Sequence, residues 1–178
     1  RHARELAAAG ADAVKIEWGD CCRAAVRAVR EAGIPVMGHV GLTPQTVHLL
    51  GGFRVQGKTP QAAAKLIQQA KMMEEDGVFS LVIECVPAAL AERLTREVEV
   101  PTIGIGAGPG CDGQVLVLYD LLGLYPGKRP RFVRGYEDFS RRARSAAERF
   151  CQDVSRGDFP KTAESFHSAA PPPENKEL

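Results

Sequence analysis

Short apolar runs alternate along the chain with stretches whose apolar residues have helical spacing. The runs lie at residues 13–17, 34–40, 79–85 and 100–105. Strands covered on both faces typically read as such near-continuous runs, so the pattern predicts a parallel sheet flanked by helices, an α/β fold. Right-handed crossovers leave an open doubly wound sheet or a (β/α)8 barrel. About four or five strands are too few to close a barrel, so either the sheet is open or the beginning of a barrel is absent.

Helices are predicted between the strands from their capping residues. Residues 3–9 are predicted to be the tail of a helix that starts near or before Arg1 and stops at Gly10, and the second helix begins with Asp20 as its N-cap and ends at Gly33. Thr59-Pro60 begins a third, with Thr as N-cap and Pro at the first helical position, and Pro87 begins a fourth. The apolar stripe of the third helix is predicted at Ala63, Leu66, Ile67, Ala70 and Met73.

The last part of the chain gives a mixed pattern. Residues 115–122 fit either a helix or a strand, and residues 136–156 predict a long amphipathic helix. The residues of this helix that are predicted to face inward are Phe139, Ala143, Ala146, Phe150 and Val154. From Ser168 onward, three consecutive prolines and mixed charges predict disorder.

Composition narrows the class of protein. The chain has 178 residues, 44% hydrophobic and 25% charged, with a net charge of +1. These values are typical of a globular domain and give no reason to expect nucleic acid or a membrane as a partner. The basic residues between 128 and 149 are interpreted as a solvated helix face. Five cysteines without a C-x-x-C indicate free thiols in a reducing compartment, and each is predicted to be a small buried hydrophobe.

Polar side chains that can carry chemistry collect where the predicted strands end. In parallel α/β folds the C-terminal strand ends form the catalytic face. Lys15 and Glu17 are two positions apart on a strand, so they point to the same face. A buried cation and carboxylate there would bind a metal or an anionic ligand, or would form an internal ion pair.

Other strand ends carry weaker signals. Glu84 ends an apolar run, which favours either a general base of raised pKa or a carboxylate at the N-terminus of the next helix. His39 ends the run at 34–40, where by itself it is more typical of a core or loop histidine. Gly104–Gly108 lacks the context of a dinucleotide fingerprint and is interpreted as a tight loop near a ligand.

Six motifs occur in an order that resembles one enzyme family. They are Val-Lys-Ile-Glu at 14–17, Gly-His-Val-Gly-Leu-Thr-Pro-Gln at 38–45, Gly-Gly-Phe-Arg-Val-Gln-Gly at 51–57, Leu-Val-Ile-Glu-Cys-Val-Pro at 81–87, Ile-Gly-Ile-Gly-Ala-Gly at 103–108 and Asp-Gly-Gln-Val-Leu-Val at 112–117. In this series the chain resembles the ketopantoate hydroxymethyltransferases. The resemblance implies a (β/α)8 TIM barrel that is incomplete here, about units 4–8, with the first three strands missing. Residues 1–167 would form this partial barrel with its C-terminal helix, and residues 168–178 a disordered tail.

The same resemblance implies an activity and a set of site residues. The family transfers a hydroxymethyl group from 5,10-methylenetetrahydrofolate to 3-methyl-2-oxobutanoate and uses Mg²⁺. Glu17 matches the metal ligand, Lys15 and His39 match substrate-binding residues, and Glu84 matches the catalytic base. The partners implied are the 2-oxo acid, the folate and further copies of the chain, a decamer in the family. The location implied is the cytoplasm in a bacterium, or the mitochondrion in a eukaryote.

Two departures from the family pattern bear on activity. Trp18-Gly19 replaces the usual Gly-Gly after the metal-ligand glutamate, so an indole is expected to crowd or repack the metal site. Two aspartate metal ligands and a substrate-binding serine of the family belong to the missing strands, so the isolated chain is expected to be inactive.

Two rival interpretations remain open. One is a Mg²⁺-dependent 2-oxo acid lyase of the phosphoenolpyruvate/pyruvate barrel type. The other is a degenerate, non-catalytic paralogue that persists as an assembly subunit.

Overall fold

The structure is a computed structural model, and it describes residues 1–125, 127 and 129–166. The predicted disordered tail from Ser168 lies outside these residues. The chain divides into two compact units. The first comprises Arg1–Val117 and Pro130–Val133, and the second comprises Leu118–Arg129 and the residues from Arg134 onward.

Strands and helices alternate through the first unit. In chain order the elements are α1 (His2–Ala8), β1 (Val14–Glu17), α2 (Cys22–Glu31), β2 (Val36–Gly41), α3 (Pro60–Glu75), β3 (Ser80–Glu84), α4 (Ala88–Glu97), β4 (Thr102–Ile105) and β5 (Gly113–Gln114). The second unit contains α5 (Leu118–Leu121) and α6 (Phe139–Arg156).

The five strands form one parallel sheet in the order β1-β2-β3-β4-β5. Each inner strand therefore pairs with the strand that precedes it and the one that follows it in the sequence. The α/β class and the parallel sheet predicted from the apolar runs are confirmed. In the described part of the chain the sheet has two edges, β1 and β5, so the five strands do not close on themselves.

The core lies between the sheet and the helices, and α3 contributes four buried apolar residues to it. Thr59 caps α3 as predicted, since its hydroxyl accepts the Ala62 N–H at 3.2 Å. Four of the five predicted stripe residues are buried: Leu66, Ile67, Ala70 and Met73. Gly38 of β2 permits this packing, because a Cβ there would lie 2.7 Å from the Leu81 side chain and 2.9 Å from the Met73 sulfur.

An ion cluster fastens α2 to the end of α3. Arg23 Nε donates to Oδ2 of Asp76 at 2.6 Å, and Arg27 Nε donates to Oδ1 at 2.6 Å. Arg30 reaches the main-chain carbonyl of the same residue at 2.9 Å. The Asp76 side chain is 1% exposed, and the hydrogen bond from Arg23 holds its pKa below the usual range. The sequence patterns did not indicate this cluster, because nothing local links Asp76 to α2.

Two of the predicted local features are wrong, and one ambiguous prediction is resolved. Asp20 is not an N-cap, since α2 begins at Cys22 after Cys21 and has no side-chain cap. The ambiguous segment 115–122 contains the short helix α5 and a turn. No residue of α6 is buried, and its predicted inward residues Phe139, Phe150 and Val154 are 40%, 54% and 48% exposed. Periodicity identifies the apolar face of a helix but does not show what covers it.

The cysteines are free, as predicted, but they are not all buried. Cys22 is buried, Cys85 and Cys111 are partly buried, and Cys21 and Cys151 are exposed. The prediction of a buried hydrophobe is therefore wrong for Cys21, which precedes α2, and for Cys151, which lies within α6. Among the described residues, no helix has both the length and the apolar character needed to cross a membrane.

Candidate active site

Four charged or titratable side chains meet at the C-terminal ends of β1, β2 and β3. Glu17 is the register partner of His39, and Gly41 is the register partner of Glu84. Alternate residues of a strand share a face. Lys15, Glu17, His39 and Glu84 therefore project from the same face of the sheet. The sequence predicted each of the four, and the structure brings all of them together.

His39 lies between the lysine and the second glutamate. Its ring is 2% exposed, with Lys15 Nζ at 3.0 Å from Nδ1 and Glu84 Oε2 at 3.1 Å from Nε2. An ammonium group only donates hydrogen bonds, so Nδ1 is the acceptor and the neutral ring carries its proton on Nε2. That proton is on the side of Glu84.

The contact between His39 and Glu84 is close but incomplete. Although Nε2 is 3.1 Å from the carboxylate, the two groups are not aligned as a hydrogen bond, and this buried nitrogen has no hydrogen-bond partner among the described residues. Buried polar groups without partners are uncommon in native proteins. A small rotation of Glu84, or a polar atom of a ligand, would complete the contact.

Glu17 is a nearly buried carboxylate held on two sides. Its Oε1 atom is 3.8 Å from both Lys15 Nζ and His39 Nδ1, and its Oε2 atom accepts the Gln45 N–H at 3.0 Å. The Glu17 side chain is 9% exposed, whereas that of Lys15 is 43% exposed. The internal ion pair that the sequence offered as one alternative is therefore present, although solvent screens its lysine.

The strand that carries Glu84 ends in a strained turn. Cys85 has a φ of 48°, which makes it the only non-glycine residue with positive φ in the described part of the chain. Its N–H donates to the Ile105 carbonyl at 2.9 Å, and its own carbonyl accepts the Gln56 N–H at 2.8 Å. The turn thus ties the 42–59 loop to the end of β3. Burial, and then the charge of Glu84, raise the pKa of the Cys85 thiol, so it stays protonated at neutral pH.

A metal ion needs more ligands than these residues offer. Mg²⁺ takes oxygen ligands in a nearly octahedral arrangement. Glu17 and Glu84 are the two carboxylates of this cluster. Across the described residues, however, no group of three or more His, Cys, Asp or Glu side chains is placed to hold a metal. These residues alone do not form a magnesium site.

A cavity of about 490 Å³ lies beside the charged cluster, on the side of α3. Trp18, which directly follows Glu17, forms one wall, and Gly41, the register partner of Glu84, forms another. Trp18 also packs against the hydrophobic core. The indole expected to crowd a metal site is therefore a wall of this neighbouring cavity.

Sequence reasoning missed three contributors to this region. Gln45 and Gln56 act through their main-chain N–H groups, which no side-chain pattern reveals. Gln69 lines the cavity from α3 and is 9% exposed. A signal for it existed, because Gln69 is a polar residue next to the apolar stripe that includes Leu66 and Ala70.

The sequence matches one known protein family. The sequence model described as ketopantoate hydroxymethyltransferase matches residues 1–162. The chain belongs to the ketopantoate hydroxymethyltransferase family. The resemblance inferred from the six motifs is thereby confirmed.

Relatives in this ketopantoate hydroxymethyltransferase family are similar over most of the chain. Proteins named 3-methyl-2-oxobutanoate hydroxymethyltransferase, a one-carbon transferase, share 54% identity in Moorella thermoacetica, 50% in Syntrophus aciditrophicus and 51% in Cenarchaeum symbiosum. These matches cover 88%, 92% and 96% of this chain, but only 58%, 60% and 65% of the three relatives. The chain spans about three fifths of the length of the ketopantoate hydroxymethyltransferases it matches.

Proposed function

We propose that this chain is part of an enzyme that transfers a hydroxymethyl group from 5,10-methylenetetrahydrofolate to 3-methyl-2-oxobutanoate, giving 2-dehydropantoate for pantothenate biosynthesis. Family membership and the names of the relatives support the reaction class. The observation that carries the proposal is the placement of His39 between Lys15 and Glu84 on one face of the sheet.

The proposal includes the architecture of the whole enzyme. The five parallel strands would be consecutive strands of a (β/α)8 barrel, with residues 1–167 as the partial barrel domain. An eight-stranded barrel needs three further strands. The face that carries Lys15, Glu17, His39 and Glu84 would then be the barrel interior. Further copies of the chain, a decamer in the family, are part of the same proposal.

Glu84 is the general base of the proposed first step. It removes the proton on C3 of 3-methyl-2-oxobutanoate, the C–H bond breaks, and its electron pair passes into an enolate. The carboxylate is 16% exposed and lies at the C-terminal end of β3. General bases of this kind typically contribute about 10²–10⁴-fold to the rate.

Lys15 and His39 support that step from the other side. The ammonium group of Lys15 is the cation nearest to the cluster and would hold the anionic 2-oxo acid and its enolate. It also keeps His39 in the tautomer that directs Nε2–H toward Glu84. His39 thereby positions the base and would contact the substrate with the same buried edge.

The second step forms the new carbon–carbon bond. The enolate carbon attacks the methylene carbon of the folate, and a C–N bond to the folate breaks. Water then adds its oxygen to that carbon as the second C–N bond to the folate breaks. Tetrahydrofolate leaves with a proton on each of the two nitrogens, one from the water and one that Glu84 removed from C3. One carbon at the oxidation level of formaldehyde is transferred, so no redox partner is needed.

Mg²⁺ belongs to the proposal as the family's metal, with Glu17 as its ligand in this chain. Its other ligands would have to come from outside the described residues, which provide no suitable group. The two steps above are therefore assigned only to Lys15, His39 and Glu84. For the same reason we expect the isolated chain to lack transfer activity.

The test uses the chain alone and a fusion of the chain with the part of the Moorella thermoacetica relative that it does not match. Both are assayed with Mg²⁺ for folate-dependent transfer, and for exchange of the C3 proton of 3-methyl-2-oxobutanoate in D₂O without folate. We expect both activities in the fusion protein and no transfer by the chain alone.

The base assignment is checked in the fusion protein with Glu84→Gln, which should lower C3 exchange at least about 100-fold. Glu92→Gln, a change to an exposed glutamate of α4, is the matched control. Exchange at the unmodified rate in Glu84→Gln would refute the role of Glu84. Cleavage of a 2-oxo acid without folate would instead favour the rival lyase.

A further inference from the structure

The cavity beside Trp18 has the size and the lining of a ligand site. Its volume of about 490 Å³ lies within the range of about 300–1,000 Å³ that is usual for small-molecule pockets. The α3 wall consists of Ala62, Lys65, Leu66 and Gln69, which lie on one face of the helix at spacings of three and four residues. The indole of Trp18 forms another wall.

Gln69 is the feature that indicates a ligand. The residue is 9% exposed and lines the cavity, and its side chain makes no hydrogen bond to any described residue. Its amide atoms are not among the fully buried atoms that lack a partner, so they face the open cavity. A side-chain amide offers both donors and an acceptor, and a ligand whose edge presents a complementary acceptor and donor would replace water on it.

The other walls restrict the chemistry of such a ligand. An indole favours a planar ring stacked on it, and Leu49, Leu50 and Leu66 favour an apolar surface. Lys65 at the same helix face forms no ion pair within the described residues and suits an acidic substituent. Together these walls fit a planar heteroaromatic ring with an amide-like edge that is joined to an acidic group.

We propose that this cavity binds the pterin ring of the reduced folate, with the Gln69 amide paired to the amino and oxo groups of the ring. This inference rests on the proposed function, which supplies the folate as donor. Gly41 in the cavity wall is the register partner of Glu84, and Trp18 directly follows Glu17. A ring in the cavity would therefore lie next to the strand ends that carry the proposed base.

The purified chain itself allows the test, because Trp18 is its only tryptophan. Its fluorescence is followed during titration with 5-formyltetrahydrofolate, a stable reduced folate, with N-acetyltryptophanamide as the correction for absorbed light. Calorimetry gives the affinity. We expect a saturable change in fluorescence, strong competition by 6-hydroxymethylpterin, and weaker competition by p-aminobenzoylglutamate, which offers only the acidic group to Lys65.

Variants of α3 locate the ring. Gln69→Leu should weaken binding at least about tenfold, since an unpaired buried group costs about 1–3 kcal/mol and 1.4 kcal/mol is tenfold. Gln68→Leu, the same change at the exposed neighbouring position, should leave the affinity within about twofold. If Gln69→Leu does not fold, Ala62→Leu, which fills the cavity from the first turn of α3, should block binding.

Several results would overturn the inference. They are the absence of a saturable Trp18 signal, unchanged affinity in both Gln69→Leu and Ala62→Leu, and competition by p-aminobenzoylglutamate instead of the pterin. C3 proton exchange requires no folate, so it tests the proposed function independently of the proposed pterin site. Exchange that depends on Glu84 without binding in the cavity would refute only the assignment of the ring.

Discussion

Nε2 of His39 lies 3.1 Å from Oε2 of Glu84, although the two residues belong to different strands. The register explains the distance. His39 of β2 pairs with Val82 of β3, and Glu84 follows Val82 by two residues on the same face. On the opposite side of the ring, Lys15 Nζ is 3.0 Å from Nδ1. The buried imidazole therefore connects a cation to the proposed base.

His39→Gln should lower C3 proton exchange in the fusion protein by about 10–100-fold, because a catalytic group displaced by roughly 1 Å can lose about 10²-fold in rate. The variant keeps a polar side chain at the position but removes the ring that separates Lys15 from Glu84. Exchange is measured by NMR in D₂O over a range of pH, since a change in the pH profile would distinguish a positioning role from a loss of folded protein.

The matched control is His48→Gln, because His48 is an exposed histidine in the loop that follows β2. The fusion protein with His48→Gln should catalyse exchange of the substrate's C3 proton at the same rate as the unmodified fusion protein. An equal loss of rate in the two variants would argue against a special role for His39, and so would an unaltered rate and pH profile in His39→Gln.

Asp76→Ala should lower the free energy of unfolding of the chain by about 1–3 kcal/mol at pH 7, because it removes the buried carboxylate that accepts hydrogen bonds from Arg23 and Arg27. The pKa of Asp76 is depressed in the folded chain. Its contribution is therefore complete above its unfolded pKa of about 3.9 and is lost as the pH falls through the lower folded pKa.

Urea unfolding of the two proteins between pH 3 and pH 8 measures this difference. The gap should be constant above about pH 5 and should narrow below about pH 4. Glu75→Ala is the control, because this exposed neighbour is paired with Arg23 at 3.3 Å and should contribute less than about 1 kcal/mol. A gap that widened toward acid would contradict the assigned pKa shift.

The sequence was sufficient for the features that depend on local pattern. Apolar runs located β1 to β4, and the same pattern placed Lys15, Glu17, His39 and Glu84 near the strand ends, whereas their roles in a site came from the family resemblance. Features that depend on distant packing were not accessible. The apolar face of α6 could be read from its spacing, whereas its exposure could not. Trp18 was expected to lie at a metal site because it follows Glu17. In the structure its indole forms one wall of the cavity beside α3.

Two of the five thiols should react quickly with a disulfide reagent in the native chain. Cys21 and Cys151 are exposed, whereas burial raises the pKa of Cys22 and of Cys85 and leaves less reactive thiolate at each. The reaction with 5,5′-dithiobis(2-nitrobenzoate) at pH 7.5 measures how many thiols react quickly in the native chain. In guanidinium chloride the chain unfolds, and all five thiols should react. Cys151→Ser should remove one fast thiol, and an unchanged fast fraction in that variant would contradict the described exposure.

Gly41→Ala should destabilise the chain more than Gly10→Ala, although both glycines have a similar positive φ, 97° and 100°. A Cβ at Gly10 meets no atom within 4 Å, so that variant bears only the cost of the backbone conformation, about 1–2 kcal/mol. A Cβ at Gly41 would lie 2.2 Å from the Glu84 carbonyl, which accepts the Leu42 N–H at 2.9 Å. The end of β3 must then move.

Comparison of the two alanine variants separates strain from displacement of the base. Urea unfolding gives the stability of each, and C3 exchange in the fusion protein reports the position of Glu84. The Gly10→Ala protein should be less stable than the unmodified protein but should catalyse C3 proton exchange at the same rate. The Gly41→Ala protein should be less stable and should also catalyse exchange more slowly. The contrary result is that the two variants lose equal stability while Gly41→Ala keeps its full rate of C3 proton exchange. That result would show that β2 and β3 tolerate a side chain at this contact. The close packing that we take to hold Glu84 in place would then be dispensable.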